Sequence, residues 1–255
     1  MPQNGIHAMV GIVSRKWLPQ KEWLLVGVVL GNMFPDLDAL VVAYATLAKL
    51  PNPAHFHRTF THSVFTILAM MLLFHIIAAV TKNEKWKNFG LGFGLGILMH
   101  ILLDLVLWFN GVELFWPLGG QLNFWAWFEK PIRLSILLDT AEFLMFGLYF
   151  VLLGSLSRKH STDSNQQGTV KTWAYIEFGL FILFTVIFFG ANAGGLDYAK
   201  GLYYKIFGVL YIVSLIVGMV NNQDETNHRI DINLKFLGDQ QVALFIDSSY
   251  PFPKR

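Results

Sequence analysis

The chain has no cysteine at all. That excludes disulfides, thiolate nucleophiles, Cys-ligated zinc and iron–sulfur clusters together. Charge is scarce as well: 14% of residues are Asp, Glu, Lys or Arg, against roughly 25% in soluble domains. The net charge is only +2 and no long basic run occurs, so a nucleic-acid partner is not expected. No Gly-x-Ser-x-Gly elbow, phosphate-binding loop or His-Glu-x-x-His is present, which removes three common catalytic templates. The N-terminus also lacks a basic segment followed by an apolar core and a cleavage site, so no removable signal peptide is expected.

What is abundant is apolar surface. Of the 255 residues, 54% are hydrophobic, and mean hydropathy is +0.47. Runs at 63–80, 89–109, 134–154, 173–190 and 202–220 approach the roughly 20 residues that cross a bilayer as helix. An earlier run, 23–48, is broken by Phe34-Pro35-Asp36. It is one kinked span or a re-entrant pair. Residues 5–13, around His7, are apolar but too short to span.

If 23–48 crosses once, the cations divide unevenly. Arg15, Lys16, Lys21, Lys82, Lys85, Lys87, Arg158, Lys159, Lys171, Arg229, Lys235, Lys254 and Arg255 fall on one side. Lys49, Arg58, Lys130, Arg133, Lys200 and Lys205 fall on the other. Thirteen against six favours six spans with both termini cytoplasmic. Trp23, Trp86, Trp108 and Trp173 sit at span ends, as interfacial tryptophans do. The 110–133 loop adds Trp116, Trp125 and Trp127, and reads as an interfacial anchor or as a cap over a site. Beyond residue 220, apolar and polar residues alternate at 230–236 and again at 242–246, which predicts a β-hairpin. The expected architecture is therefore all-α: a multipass helical bundle of six spans, the first broken at Pro35. A membrane domain (1–220) precedes a tail (221–255) carrying the hairpin.

Within the apolar runs lie six acids, Asp36, Asp38, Asp104, Asp139, Glu142 and Glu177, against one base, Lys205. Ionisable groups at such depth are costly and mark function by default. The imbalance calls for protons or a divalent cation. His100-x-x-x-Asp104 sets imidazole and carboxylate on one helix face. Gly92 and Gly96 continue that face and admit a close neighbouring helix, so the pair points into protein. Those two donors suit zinc, with manganese as second candidate; the plain alternative is a buried His–Asp hydrogen bond. His57-Arg58-x-x-Thr61-His62 offers two more imidazoles and a guanidinium that fits phosphate, or else a polar cap at headgroup level. Asp36 and Asp38 exceed what capping a kink requires. Spacing of two splays them, so one binds directly and the other orients a ligand histidine. His55 and His75 read as non-ligands. Asp139 and Glu142 read as a packed or proton-shared pair, and Glu177 as a partner for Lys205.

In order, the motifs are His7-x-x-x-Gly11, Pro35-Asp36-Leu37-Asp38, His57-Arg58-x-x-Thr61-His62-Ser63 and His100-x-x-x-Asp104. Together they resemble the YdjM-like family of inner-membrane-associated metal-dependent hydrolases, over residues 5–150. The resemblance implies a prokaryotic multipass inner-membrane protein with hydrolase activity. More distantly, the order is similar to that of zinc-dependent phospholipase C and P1-type nucleases. Against their ligand order, His7, Asp36 or Asp38, His57 or His62, and His100 with Asp104 match the first part. The later ligands are missing, since Ser164 follows His160 and Ile232 follows His228 at the fourth position. One or two divalent ions are therefore expected rather than three.

The resulting expectation is a phosphoester hydrolase with a membrane lipid as partner and a lipid or other phosphoester as substrate. His7, His57, His62, His100 and Asp104 would hold metal. Asp36 or Asp38 would bridge it or take the water proton, and Arg58 would clamp phosphate. A divalent-metal transporter and a non-catalytic membrane scaffold are the competing readings.

Overall fold

The computed structural model describes residues 4–109, 111–159 and 164–194, with position 213 alone beyond them. The expected span at 202–220, the C-terminal hairpin and Lys205 lie outside the described residues. Among the described residues, seven helices carry the fold: α1 (Asn4–Val13), α2 (Leu24–Met33), α3 (Asp38–Leu47), α4 (Val64–Thr81), α5 (Glu84–Leu107), α6 (Ile132–Lys159) and α7 (Ser164–Gly194). No strand occurs among the described residues beyond one isolated bridge, Val112 to Leu122.

Among the described residues, four stretches are long and apolar enough to cross a membrane: Val64–Thr81, Glu84–Leu107, Ile136–Leu156 and Gln167–Gly190. The α2–α3 pair is a fifth candidate, bent by 41° at its break. Pro35 causes that break. Its ring removes a backbone donor and crowds the preceding turn, and the chain passes through one 3₁₀ turn, Pro35–Leu37, before α3 resumes.

Helix ends differ from the apolar runs where a cap overrides hydropathy. The 89–109 run begins as helix at Glu84, because the Asn83 side chain accepts the Lys85 N–H at 3.0 Å. Ser63 does the same for α4, accepting from Phe65 N at 3.2 Å. Side-chain oxygens at this position satisfy donors the helix leaves open.

Glycines set the packing around α5. A methyl on Gly92 would overlap the Leu24 carbonyl oxygen, and one on Gly96 would overlap that of Val28. Gly27 and Gly31 face back onto the Phe89 and Phe93 carbonyls in the same way. So α2 and α5 run parallel in backbone contact. Gly90 and Gly94 face the other side, against Phe74 and Met71 of α4. The alternating glycines thus serve two helices at once. α4 itself has no buried residue, as suits a helix whose solvent is lipid. α1 packs between α2 and α6, and a core of Ala8, Ile12, Val29, Met33, Phe143, Phe146, Tyr149 and Phe150 joins them.

Candidate metal centre

Four segments deliver the predicted residues to one buried point: α1, the α2–α3 break, the 57–62 segment and the C-terminal half of α5. His7, Asp36, His62 and His100 are each 0% exposed, and Asp38 and Asp104 are each 1% exposed.

His100 is fixed first. Its Nδ1 lies 2.7 Å from the Asn32 carbonyl, an acceptor only, so Nδ1 carries the proton and Nε2 presents a lone pair. The Asn32 side chain donates to the His7 carbonyl at 2.7 Å, tying α1 to the same turn of α2. The His7 ring stacks on His100 at 3.7 Å between centroids, and its Nε2 lies 3.2 Å from Asp104 Oδ1.

Asp38 organises the 57–62 segment. One oxygen pairs with His57 Nδ1 at 2.7 Å. The other accepts from Arg58 N at 2.9 Å and from the Thr61 hydroxyl at 3.0 Å. Arg58 adopts a left-handed backbone, φ 62°, which turns its N–H onto Asp38. For a non-glycine residue that conformation costs roughly 1–2 kcal/mol, recovered through the bonds it permits. Burial pulls the His57 imidazole below its ordinary value, with Asp38 pushing the other way. Thr61 Oγ1 and Asp38 Oδ2 sit 3.0 and 3.5 Å from His62 Nδ1. His62 therefore also turns Nε2 inward. Arg58 is buried, with Nε 3.1 Å from Asp104 Oδ2.

Two imidazole nitrogens, His62 Nε2 and His100 Nε2, then face each other at 3.2 Å. Asp36 Oδ1 lies 3.6 Å from His100 Nε2 and 4.0 Å from that of His62. Asp104 Oδ2 lies 3.9 and 3.7 Å from the same two atoms. His62, His100 and Asp104 form one set of close ligand atoms, and Asp36 joins His100 and His7 in a second. Ligand bonds of 2.0–2.2 Å give edges of about 3.3–3.6 Å in a regular tetrahedral site. Both Asp36 oxygens and Asp104 Oδ2 lack a hydrogen-bond partner. Buried polar atoms are rarely left so, and lone pairs converging on one point are what a divalent cation satisfies. The residues fit that group. Asp36, Asp38 and His57 form an adjoining set of close ligand atoms.

The 111–128 loop lies over this segment. Glu113 N donates to the Arg58 carbonyl at 3.0 Å, Val64 N to the Leu114 carbonyl at 3.0 Å, and the Ser63 hydroxyl to the Trp116 carbonyl at 2.9 Å. Its outer side shows Leu118 and Trp127, 77% and 74% exposed.

The other candidates fall elsewhere. His75 bonds to the Met71 carbonyl of its own helix, and His55 is exposed. Glu142 accepts the Asn4 backbone N–H at 3.0 Å and so caps α1. Sequence reasoning missed Asn32, Asn4 and Glu142 in this role. The available signal for Asn32 was a lone amide inside an apolar run, four residues before Asp36.

Fold and site define a class: a polytopic helical membrane protein with a buried histidine–carboxylate cluster between its helices. The chain belongs to the YdjM inner membrane protein family, whose model matches residues 4–196. It is an inner-membrane protein, with several apolar helices able to span and a surface that meets lipid. No curated protein and no solved structure matches it. The family description names a location and no reaction.

Proposed function

We propose that the chain is a membrane-embedded hydrolase of phosphoester bonds, dependent on one or two divalent ions, zinc first, and acting on a lipid substrate. The observation that carries this is the convergence of His62 Nε2, His100 Nε2, Asp36 and Asp104 in one buried cluster, with both Asp36 oxygens lacking a hydrogen-bond partner. Those four residues would hold the first ion, with His7 supporting Asp104. A bound divalent cation lowers the pKa of coordinated water to near neutrality and stabilises charge on phosphoryl oxygens.

The chain's own groups do the rest. Asp38 orients the 57–62 segment, which supports its positioning role, while Asp36 keeps both oxygens available to a ligand or a water proton. Arg58 brings positive charge beside Asp104 and is the phosphate clamp. The overlying aromatic loop limits water and offers an apolar surface to a lipid tail. Zinc content and phosphodiesterase activity of the purified protein test the reading. His100→Ala and Asp104→Ala should each lose both together; full activity in both variants overturns it.

One observation favours the divalent-metal transporter instead. Asp36 lies where α2 breaks from α3, and discontinuous helices beside acids are the usual build of transporter ion sites. Zinc uptake into sealed vesicles, abolished by Asp104→Ala and without hydrolysis of any lipid, would select that reading. No bound metal after purification without chelator would select the scaffold.

A further inference from the structure

A second feature lies at the other end of the bundle, independent of the metal centre. A cavity of about 420 Å³ opens between α6 and α7. Arg158, Gln167 and Lys171 line it near the helix ends, and Phe150, Ala174 and Phe178 line it deeper down. Lys171 Nζ stands 6.0 Å from the Tyr175 ring centroid, so cation and aromatic share one wall. No acid lines the cavity, and among the described residues neither Arg158 nor Lys171 has a carboxylate partner.

The glycines at this end behave unlike those around α5. A methyl on Gly168 would meet nothing within 4 Å, and one on Gly154 only Val170 Cγ1 at 3.5 Å. The space is open rather than close-packed. Beside it, Val151, Tyr175 and Ile182 are 48%, 66% and 61% exposed, an apolar strip leading away down the helices. Arg158 and Lys171 also belong to the more basic side of the protein, with Arg15, Lys16, Lys82 and Lys85. That is the cytoplasmic side by charge.

We propose that this cavity binds an anionic phospholipid of the cytoplasmic leaflet. The phosphate sits between Arg158 and Lys171, since a guanidinium fork suits phosphate oxygens and basic pockets between spans select anionic headgroups. The glycerol backbone and the start of one acyl chain lie against Phe150 and Phe178. A free phosphate would leave that apolar floor wet. A zwitterionic lipid would bring its own cation to a site already carrying two.

The test uses the full chain in phosphatidylcholine nanodiscs doped with phosphatidylglycerol or phosphatidylethanolamine, with retained lipid counted by native mass spectrometry. A near-surface cation is worth about fivefold in anionic-lipid binding, so the pair should give phosphatidylglycerol about a 25-fold preference. Arg158→Gln with Lys171→Gln should bring the two lipids to near parity. Gly154→Leu, which fills the cavity and keeps both cations, should also lower retention. Lys171→Arg should keep the preference, and remains informative if the double variant fails to fold. Unchanged preference in the double variant or unchanged retention in Gly154→Leu overturns the proposal, as does displacement of the lipid by inorganic phosphate alone.

Discussion

Replacing Asp36 by asparagine should move stability in opposite directions with and without zinc. Asp36 is fully buried with neither oxygen hydrogen-bonded, and its nearest neighbour on His100, 3.6 Å away, is a lone pair. An unsatisfied buried polar group costs about 1–3 kcal/mol. Asparagine removes the acid and offers an N–H to that lone pair, so the metal-free protein should gain about that much. The zinc-loaded protein should lose. Changing residues that merely orient ligands weakens metal sites 10–100-fold, so loss of a direct ligand should cost about 100-fold or more. At a zinc concentration of 100 times the wild-type dissociation constant, that removes nearly all of about 2.7 kcal/mol of ligand stabilisation. With about 2–4 °C per kcal/mol at this chain length, the variant should melt about 2–12 °C higher in chelator. Its zinc-induced shift should be smaller by about 5–11 °C. Thermal unfolding in nanodiscs, with and without zinc, measures both. A variant that melts lower in chelator and keeps the full zinc shift would show that Asp36 only caps the α2–α3 break.

Three further substitutions test how the site is held. Gly96→Ala would drive a methyl to 2.6 Å from Asn32 N and 2.8 Å from Gly31 C; the overpacking should cost about 1–3 kcal/mol and weaken zinc binding, read by unfolding and zinc titration. Asn32→Ala deletes the amide that holds the His7 carbonyl and should lower zinc affinity 10–100-fold while leaving helix content by circular dichroism unchanged. Glu142→Leu strips the cap from α1 and should destabilise by about 1–2 kcal/mol, whereas Glu142→Gln, which keeps an acceptor oxygen, should recover most of it in the same melt.

His100 and Asp104 were legible in the sequence because their relation is local. A spacing of four fixes one helix face, and Gly92 and Gly96 on that face announce a close neighbour. Spans were legible as apolar runs but not their ends, since Asn83 starts α5 five residues before the hydrophobic run does. Asp38 and Asp36 could be told apart only with the fold. The choice depends on a distant segment returning with Arg58 in a left-handed conformation, and nothing in Pro35-Asp36-Leu37-Asp38 specifies that. The Glu142 contact with α1 was hidden for a related reason. Its partner there is the Asn4 backbone N–H, which has no side-chain signature.

His7 posed the sharpest conflict between charge and chemistry. Its neighbours Arg15 and Lys16 belong on the basic side, while His57 and His62 belong on the other if 23–48 crosses. The ends of α5 show where the neighbouring segments lie. Trp23 packs on Trp86 with centroids 5.0 Å apart, and Glu22 pairs with Lys85 at 2.8 Å; both partners lie at the start of α5. Arg58 bonds to Glu113, just past the far end of α5. Residues 22 and 23 thus meet the start of α5, and Arg58 lies near its far end, beside Asp104. His7 reaches the site without a crossing of its own. At 1.5 Å per residue, the ten residues of α1 cover about 15 Å, half of a roughly 30 Å hydrocarbon core. A helix beginning at that depth exposes backbone donors where no water is available to take them. Glu142, on α6, accepts one of them. Glu142 thus fixes the start of α1 so that His7 arrives beside Asp104 in the histidine cluster.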